Sequence, residues 1–183
     1  PARQPVLFVG HGSPMNAIAD NEWSRGFRSL GERLPRPRAI LAVSAHWYLP
    51  GTLLTGEPAP RTLHDFWGFP RALSEVRYPA PGDPALAARV AAALGAATET
   101  DWGLDHGTWS VLRHTHPAAD VPVVQLSVDE RLPAARHLAI GRALAPLREE
   151  GVLVMASGNI VHNLRLVSLG GSLTMTSPRI DRP

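Results

Sequence analysis

Three histidines in this chain sit where a hydrophobic strand runs out. Val6-Leu7-Phe8-Val9-Gly10 ends at His11, and Ile40 to Ala45 ends at His46. Val152-Leu153-Val154-Met155-Ala156 runs into Ser157-Gly158-Asn159, with His162 just beyond. In an open α/β sheet, reactive groups gather at the carboxyl edge of the strands. Imidazoles delivered to one such edge can converge on a metal ion. A histidine that simply ends a strand and bonds to neighbouring backbone is the competing reading for each one taken alone.

Two further histidines have chemical neighbours. His106 follows Asp105 in Asp-His-Gly-Thr-Trp, and an acidic neighbour can orient an imidazole or raise its pKa. His64 lies in Leu-His-Asp-Phe-Trp-Gly-Phe, among prolines. His114, His116 and His137 have helical or loop contexts and read as surface or structural residues. Trp47, Phe66, Trp67, Phe69 and Trp109 cluster in sequence near these histidines. They form either core or a pocket for a planar aromatic substrate.

Composition removes several alternatives. Cysteine is absent, so disulfides, thiolate zinc sites and cysteine nucleophiles are excluded, and a cytoplasmic location is expected. All 18 basic residues are arginine, which excludes lysine Schiff-base catalysis and a Walker-type phosphate lysine. Those arginines are scattered and the formal charge is +2, which argues against a nucleic-acid surface. No segment is long and apolar enough to span a bilayer, and residues 1–10 do not read as a signal peptide. Gly10-His11-Gly12-Ser13 is not a nucleophile elbow, and no dinucleotide-binding glycine pattern follows a strand. A metal would therefore be held by nitrogen and oxygen donors.

The elements that must position these residues alternate. Strands are expected at 5–9, 39–45, 121–127 and 152–156. Helices are expected from Asn21 to Leu34, from Pro84 to Leu94, from His106 to about His114, and from Pro133 to Glu150. Trp23, Phe27, Leu30 and Leu34 fall at helical spacing on one face of the first helix. Residues 49–83 read as a long, mostly irregular excursion, and residues 170–176 as a final strand. Strands separated by helices predict a three-layer α/β/α sandwich around a mixed, mostly parallel sheet, as one domain of 183 residues.

At this point the residues carry a resemblance. Gly-His-Gly-Ser-Pro-Met-Asn (10–16), Val-Ser-Ala-His-Trp (43–47), His-Asp-Phe-Trp-Gly-Phe-Pro (64–70) and Tyr-Pro-Ala-Pro-Gly (78–82) begin it. Asp-His-Gly-Thr-Trp (105–109), Val-Gln-Leu-Ser (124–127) and Ala-Ser-Gly-Asn-Ile-Val-His-Asn-Leu (156–164) continue it in order. Together they resemble the 4,5-DOPA extradiol dioxygenases, within the class III extradiol ring-cleaving dioxygenases. The resemblance implies a mononuclear non-heme Fe(II) site, also found with zinc, that opens a catechol ring beside the diol using O2. It implies that His11 and His46 bind the metal, that His162 is a metal ligand or the catalytic base, and that His106 is catalytic near the oxygen and substrate. It places His64 at the substrate pocket, with Trp47 and Phe66 as its aromatic neighbours. The partners expected are a small aromatic diol and O2, with no nucleic acid or membrane; the oligomeric state is open.

One departure stands out. The family carries another metal histidine in Glu-His-Tyr-x-Pro before its last strand, and no such motif is present. Gly170 to Met175 resembles that strand joined almost directly to the His162 region, as if a segment were absent near 165–171. Such a gap would appear as a Cα–Cα step well beyond ~3.8 Å. A site incomplete in this way admits a second function: a non-catalytic, metal-pocket binding or signalling protein on the same scaffold. A zinc hydrolase is a third, lesser alternative.

Overall fold

The structure is a computed structural model that describes residues 1–159. His162, the expected strand at 170–176 and the junction at 165–171 lie outside the described residues.

Six strands form one sheet in the order β1-β6-β2-β5-β3-β4. They are β1 (Val6–Val9), β2 (Ala39–Leu49), β3 (Leu53–Thr55), β4 (Ala97–Glu99), β5 (Val123–Asp129) and β6 (Val152–Ser157). The pairs β1–β6, β6–β2 and β2–β5 are parallel, and β3 joins β5 antiparallel before pairing in parallel with β4. The helices are α1 (Glu22–Arg33), α2 (Arg71–Ser74), α3 (Pro84–Leu94), α4 (His106–Thr115) and α5 (Ala134–Leu144). One apolar cluster joins Phe27 of α1 and Trp109 and Leu112 of α4 to Ile40, Ala42 and Leu153 of the sheet. A second joins Leu86 and Val90 of α3 and Leu144 of α5 to Leu41, Val124 and Leu126. The sheet is thus covered on both faces, and the fold is the expected three-layer α/β/α sandwich.

Local chemistry explains the helix starts. Asn21 caps α1 in a reciprocal capping box with Ser24, and Asp83 caps α3, which has proline in its first turn. Asp105 caps α4 by accepting from the Thr108 N–H. Gly95, in the left-handed region at φ 64°, ends α3.

Four details differ from expectation. Trp23 is 59 % exposed, because the capping box turns Ser24 inward and the buried stripe of α1 runs through Ser24 and Phe27. The helix expected from Pro133 to Glu150 is α5 followed by a 3-10 segment, Ala145–Glu150, because Pro146 cannot donate an α-helical hydrogen bond. Strand β2 continues past 45 to Leu49, so His46 lies within it. The excursion at 49–83 contains β3 and the single-turn α2. Among the described residues, no helix is long and apolar enough to cross a membrane.

Candidate metal centre

Side chains of a strand alternate between the two faces of the sheet. Leu7 and Val9 of β1, Ile40 and Ala42 of β2, Val123 of β5, and Leu153 and Met155 of β6 all meet the α1/α4 cluster. Two residues further on, that same face becomes polar: His11 follows Val9, Ser44 and His46 follow Ala42, Gln125 follows Val123, and Ser157 follows Met155. The parallel register places these ends side by side, with Ser157 opposite both Val9 and Ser44. The amino end of α4 closes over them and adds His106. Gly107 permits that approach: a Cβ there would stand 2.5 Å from Ser44 Oγ and 3.0 Å from His46 Cδ2. Gly12, at φ 65°, turns the loop after β1, and Asn16 Nδ2 donates to the His11 carbonyl across that loop.

The result is a cluster of His11, His46 and His106, each offering a nitrogen within 4.8 Å of the others. The rings of His46 and His106 lie 3.9 Å apart between centroids, and those of His11 and His106 5.4 Å apart. His11 and His106 are buried, while the His46 side chain is 27 % exposed.

The hydrogen-bond directions fix which ring atoms face inward. Ser157 Oγ donates its one proton to the Gly107 carbonyl. Its contact with His11 Nδ1, at 2.8 Å, must therefore accept from that nitrogen. His11 thus carries its proton on Nδ1 and a lone pair on Nε2. The Asp65 carboxylate lies 3.3 Å from His46 Nδ1 and 2.9 Å from His106 Nδ1, which favours the same tautomer for both. Both contacts lie off the ring N–H axis, so they act as charge contacts ahead of linear hydrogen bonds. His11 Nε2 and His46 Nε2 then face one another at 3.0 Å. Two lone pairs aimed at each other repel unless a cation or a proton lies between them. Neutral imidazole is a donor suited to iron and zinc, and metal–nitrogen bonds of ~2.0–2.1 Å let two nitrogens at this separation share one ion. These donors fit a divalent metal.

Two buried carboxylates differ in state. Burial pushes Asp65 up, but the contacts of its carboxylate with His106 outweigh burial, and its pKa falls below the ordinary 3.8. Burial dominates at Asp105 and raises it to about 6 against hydrogen bonds from Ser44 and Gln125; the nearby Asp65 charge adds to the rise. Sequence reasoning makes Asp105 the orienter of imidazoles. The structure gives its carboxylate instead to Ser44 Oγ at 2.6 Å, Gln125 Nε2 and the α4 cap. Asp65 was missed, although it adjoins His64 in the motif singled out; nothing in a loop sequence says which of two neighbours points inward.

The other expected site residues are placed as follows. The Phe66 ring meets His106 edge-on at 5.6 Å and His64 at 5.8 Å. His64 Nε2 lies 3.0 Å from the Val76 carbonyl, and its ring is 5.7 Å from Trp109. Trp47 is 2 % exposed and stacks on Trp102 with centroids 5.4 Å apart, so its ring is taken up by packing. His114 and His137 contact the backbone carbonyls of Asn16 and Asp129.

The chain matches the family model of the catalytic LigB subunit of aromatic ring-opening dioxygenase over residues 5–182, and it belongs to that family. It is 53 % identical over 173 residues to the 4,5-DOPA dioxygenase extradiol of Escherichia coli (strain K12), covering 92 % of this chain and 64 % of that protein. It is 42 % identical over 166 residues to the 4,5-DOPA dioxygenase extradiol of Beta vulgaris, covering 86 % of this chain and 62 % of the relative. The crystal structure of uncharacterized protein JW3007 from Escherichia coli K12 superposes with a TM-score of 0.78 at 48 % identity, covering 93 % of this chain and 66 % of that one. The chain therefore spans somewhat less than two thirds of the curated relatives it matches.

Proposed function

We propose that this chain carries the centre of a non-heme Fe(II) extradiol dioxygenase that opens the ring of a DOPA-like catechol with O2. The observation that supports this most is the approach of the His11 and His46 Nε2 atoms, 3.0 Å apart at the carboxyl edge of the sheet. His11 and His46 hold the metal, with His162 as the further ligand or base; zinc suits the same donors. The bound metal supplies the Lewis acidity and electron path that join catechol to dioxygen.

The remaining residues act on the substrate. With the Asp65 carboxylate against its Nδ1, His106 is poised to accept a catechol hydroxyl proton at Nε2, a role imidazole performs near neutral pH. Phe66 and His64 form an aromatic wall beside His106, suited to a flat ring. Burial of His11 and His106 limits water at the reacting atoms. The sum of the reaction is one catechol and one O2 giving one ring-opened semialdehyde that keeps both oxygen atoms.

Anaerobic loading with Fe(II), followed by a catechol and then oxygen, tests the proposal. A yellow ring-opened semialdehyde formed with matching oxygen uptake is expected. Metal uptake with every catechol left intact would instead favour the non-catalytic binding protein, and hydrolysis without oxygen uptake a zinc hydrolase.

A further inference from the structure

Asp65 belongs to the irregular segment after β3, yet its carboxylate reaches across to the carboxyl edge of the sheet. One oxygen accepts from the His106 backbone N–H at 2.9 Å and lies 2.9 Å from His106 Nδ1. The other lies 3.3 Å from His46 Nδ1. The side chain is 19 % exposed, so water competes only partly for these contacts. A single acceptor group thus spans a residue of the metal pair and the residue that faces the substrate. His11 has a different arrangement, with Ser157 in the corresponding place.

We propose that Asp65 is a positioning residue that sets the tautomers of His46 and His106 together, keeping both Nδ1 atoms protonated so that each ring presents its Nε2 toward the metal and substrate side. This inference rests on the reading of the cluster as a metal centre. A carboxylate accepts at every position around its two oxygens, so it tolerates only N–H groups facing it. Opposite a nitrogen lone pair it would be repelled. An imidazole held with Nδ1–H must present the Nε2 lone pair, the form that binds a metal ion or takes a proton. Both contacts lie off the ring N–H axis, and catalytic contacts of this kind tighten when substrate binds. The amide of Asp65→Asn keeps one acceptor for the two His106 donors and turns an NH2 toward His46. That NH2 demands a lone pair on His46 Nδ1, which moves the proton to Nε2 and points a donor at the metal position.

The test measures ring tautomers by nitrogen-15 NMR and Zn(II) affinity by chelator competition, neither of which requires turnover. In the wild-type chain without metal, protonated Nδ1 is expected on both His46 and His106. Asp65→Asn should shift the His46 proton to Nε2 and weaken Zn(II) binding roughly 10–100-fold. Asp65→Glu, which restores the acceptor, should restore the tautomer and recover most of the affinity. A His46 or His106 without a proton on Nδ1 in the wild-type chain would overturn the proposal even if Asp65→Asn fails to fold. A variant with Zn(II) affinity within about threefold of wild type, or with weakened affinity but an unchanged His46 tautomer, would overturn it as well. Should the wild type bind Zn(II) tightly yet leave catechols intact, the dioxygenase reading fails while the Asp65 assignment stands on its own readouts.

Discussion

The two faces of the sheet use the same strands for opposite ends. On the α3/α5 face, Ala39, Leu41, Val124, Leu126 and Val152 form a continuous apolar surface from strand start to strand end. On the α1/α4 face the same strands begin apolar, with Ile40, Ala42, Val123 and Leu153, and then turn to Ser44, His46, Gln125 and Ser157. One face stabilises the fold, while the other gives up apolar burial at its carboxyl end to hold a polar cluster. That exchange is offset by contacts among the polar groups: Ser157 with His11, the Asp65 carboxylate with His46 and His106, and Ser44 and Gln125 with Asp105.

Substitutions should separate the two faces cleanly. His46→Ala or His11→Ala is expected to abolish metal uptake and with it turnover, while the far-UV circular dichroism of the chain stays native; metal analysis after desalting checks this. His106→Ala should retain the metal and slow turnover by roughly 10²–10⁴-fold, the range for loss of a general acid–base group, read as kcat in a coupled oxygen-uptake assay. Leu126→Ala, on the wholly apolar face and 2 % exposed, should lower unfolding free energy by about 2–5 kcal/mol in urea titration without altering metal affinity. A metal affinity that moved with Leu126 would break the division between the faces.

The smallest expected effect is a pH dependence. Asp105 has its folded pKa raised from 3.8 to about 6, so the folded state holds this proton more tightly than the unfolded chain. Stability from this group is full below the unfolded value and falls as pH climbs from about 4 to about 6, by on the order of 3 kcal/mol at most. Asp65 is lowered, so its contribution is present above the ordinary carboxylate range and is lost only as pH falls below it. The falling component between pH 4 and 6 is therefore assigned to Asp105, while His114 and His116, whose pKa values burial lowers, add a rising component below the ordinary histidine value. Asp105→Asn should remove the falling component in urea titrations run across that range, and an unchanged slope would remove Asp105 from this role.

Much of this was legible in the sequence because the period of a strand is strict. Runs ending in His11, His46 and Ser157 could be aligned by their apolar residues, and the parallel order of β1, β6 and β2 then brings those ends together. Helix α3 was readable to the residue because Asp83, Pro84 and Gly95 mark both ends. Strands β3 and β4 were not, since three residues each carry too little pattern to register. Asp65 was hidden for a different reason. It arrives from irregular chain, where no period relates sequence position to direction, and only tertiary contact with His46 and His106 reveals it. Trp23 shows the converse error, an apolar residue at the right spacing that a capping box turns out to solvent.

X-ray absorption at the zinc edge of the Zn(II)-loaded chain tests the central claim most directly. Imidazole scatterers at ~2.0–2.1 Å are expected, with one lost in His11→Ala and another in His46→Ala where any metal is retained under excess zinc. A first shell with the same imidazole count in wild type and both variants would place the ion elsewhere and contradict the account.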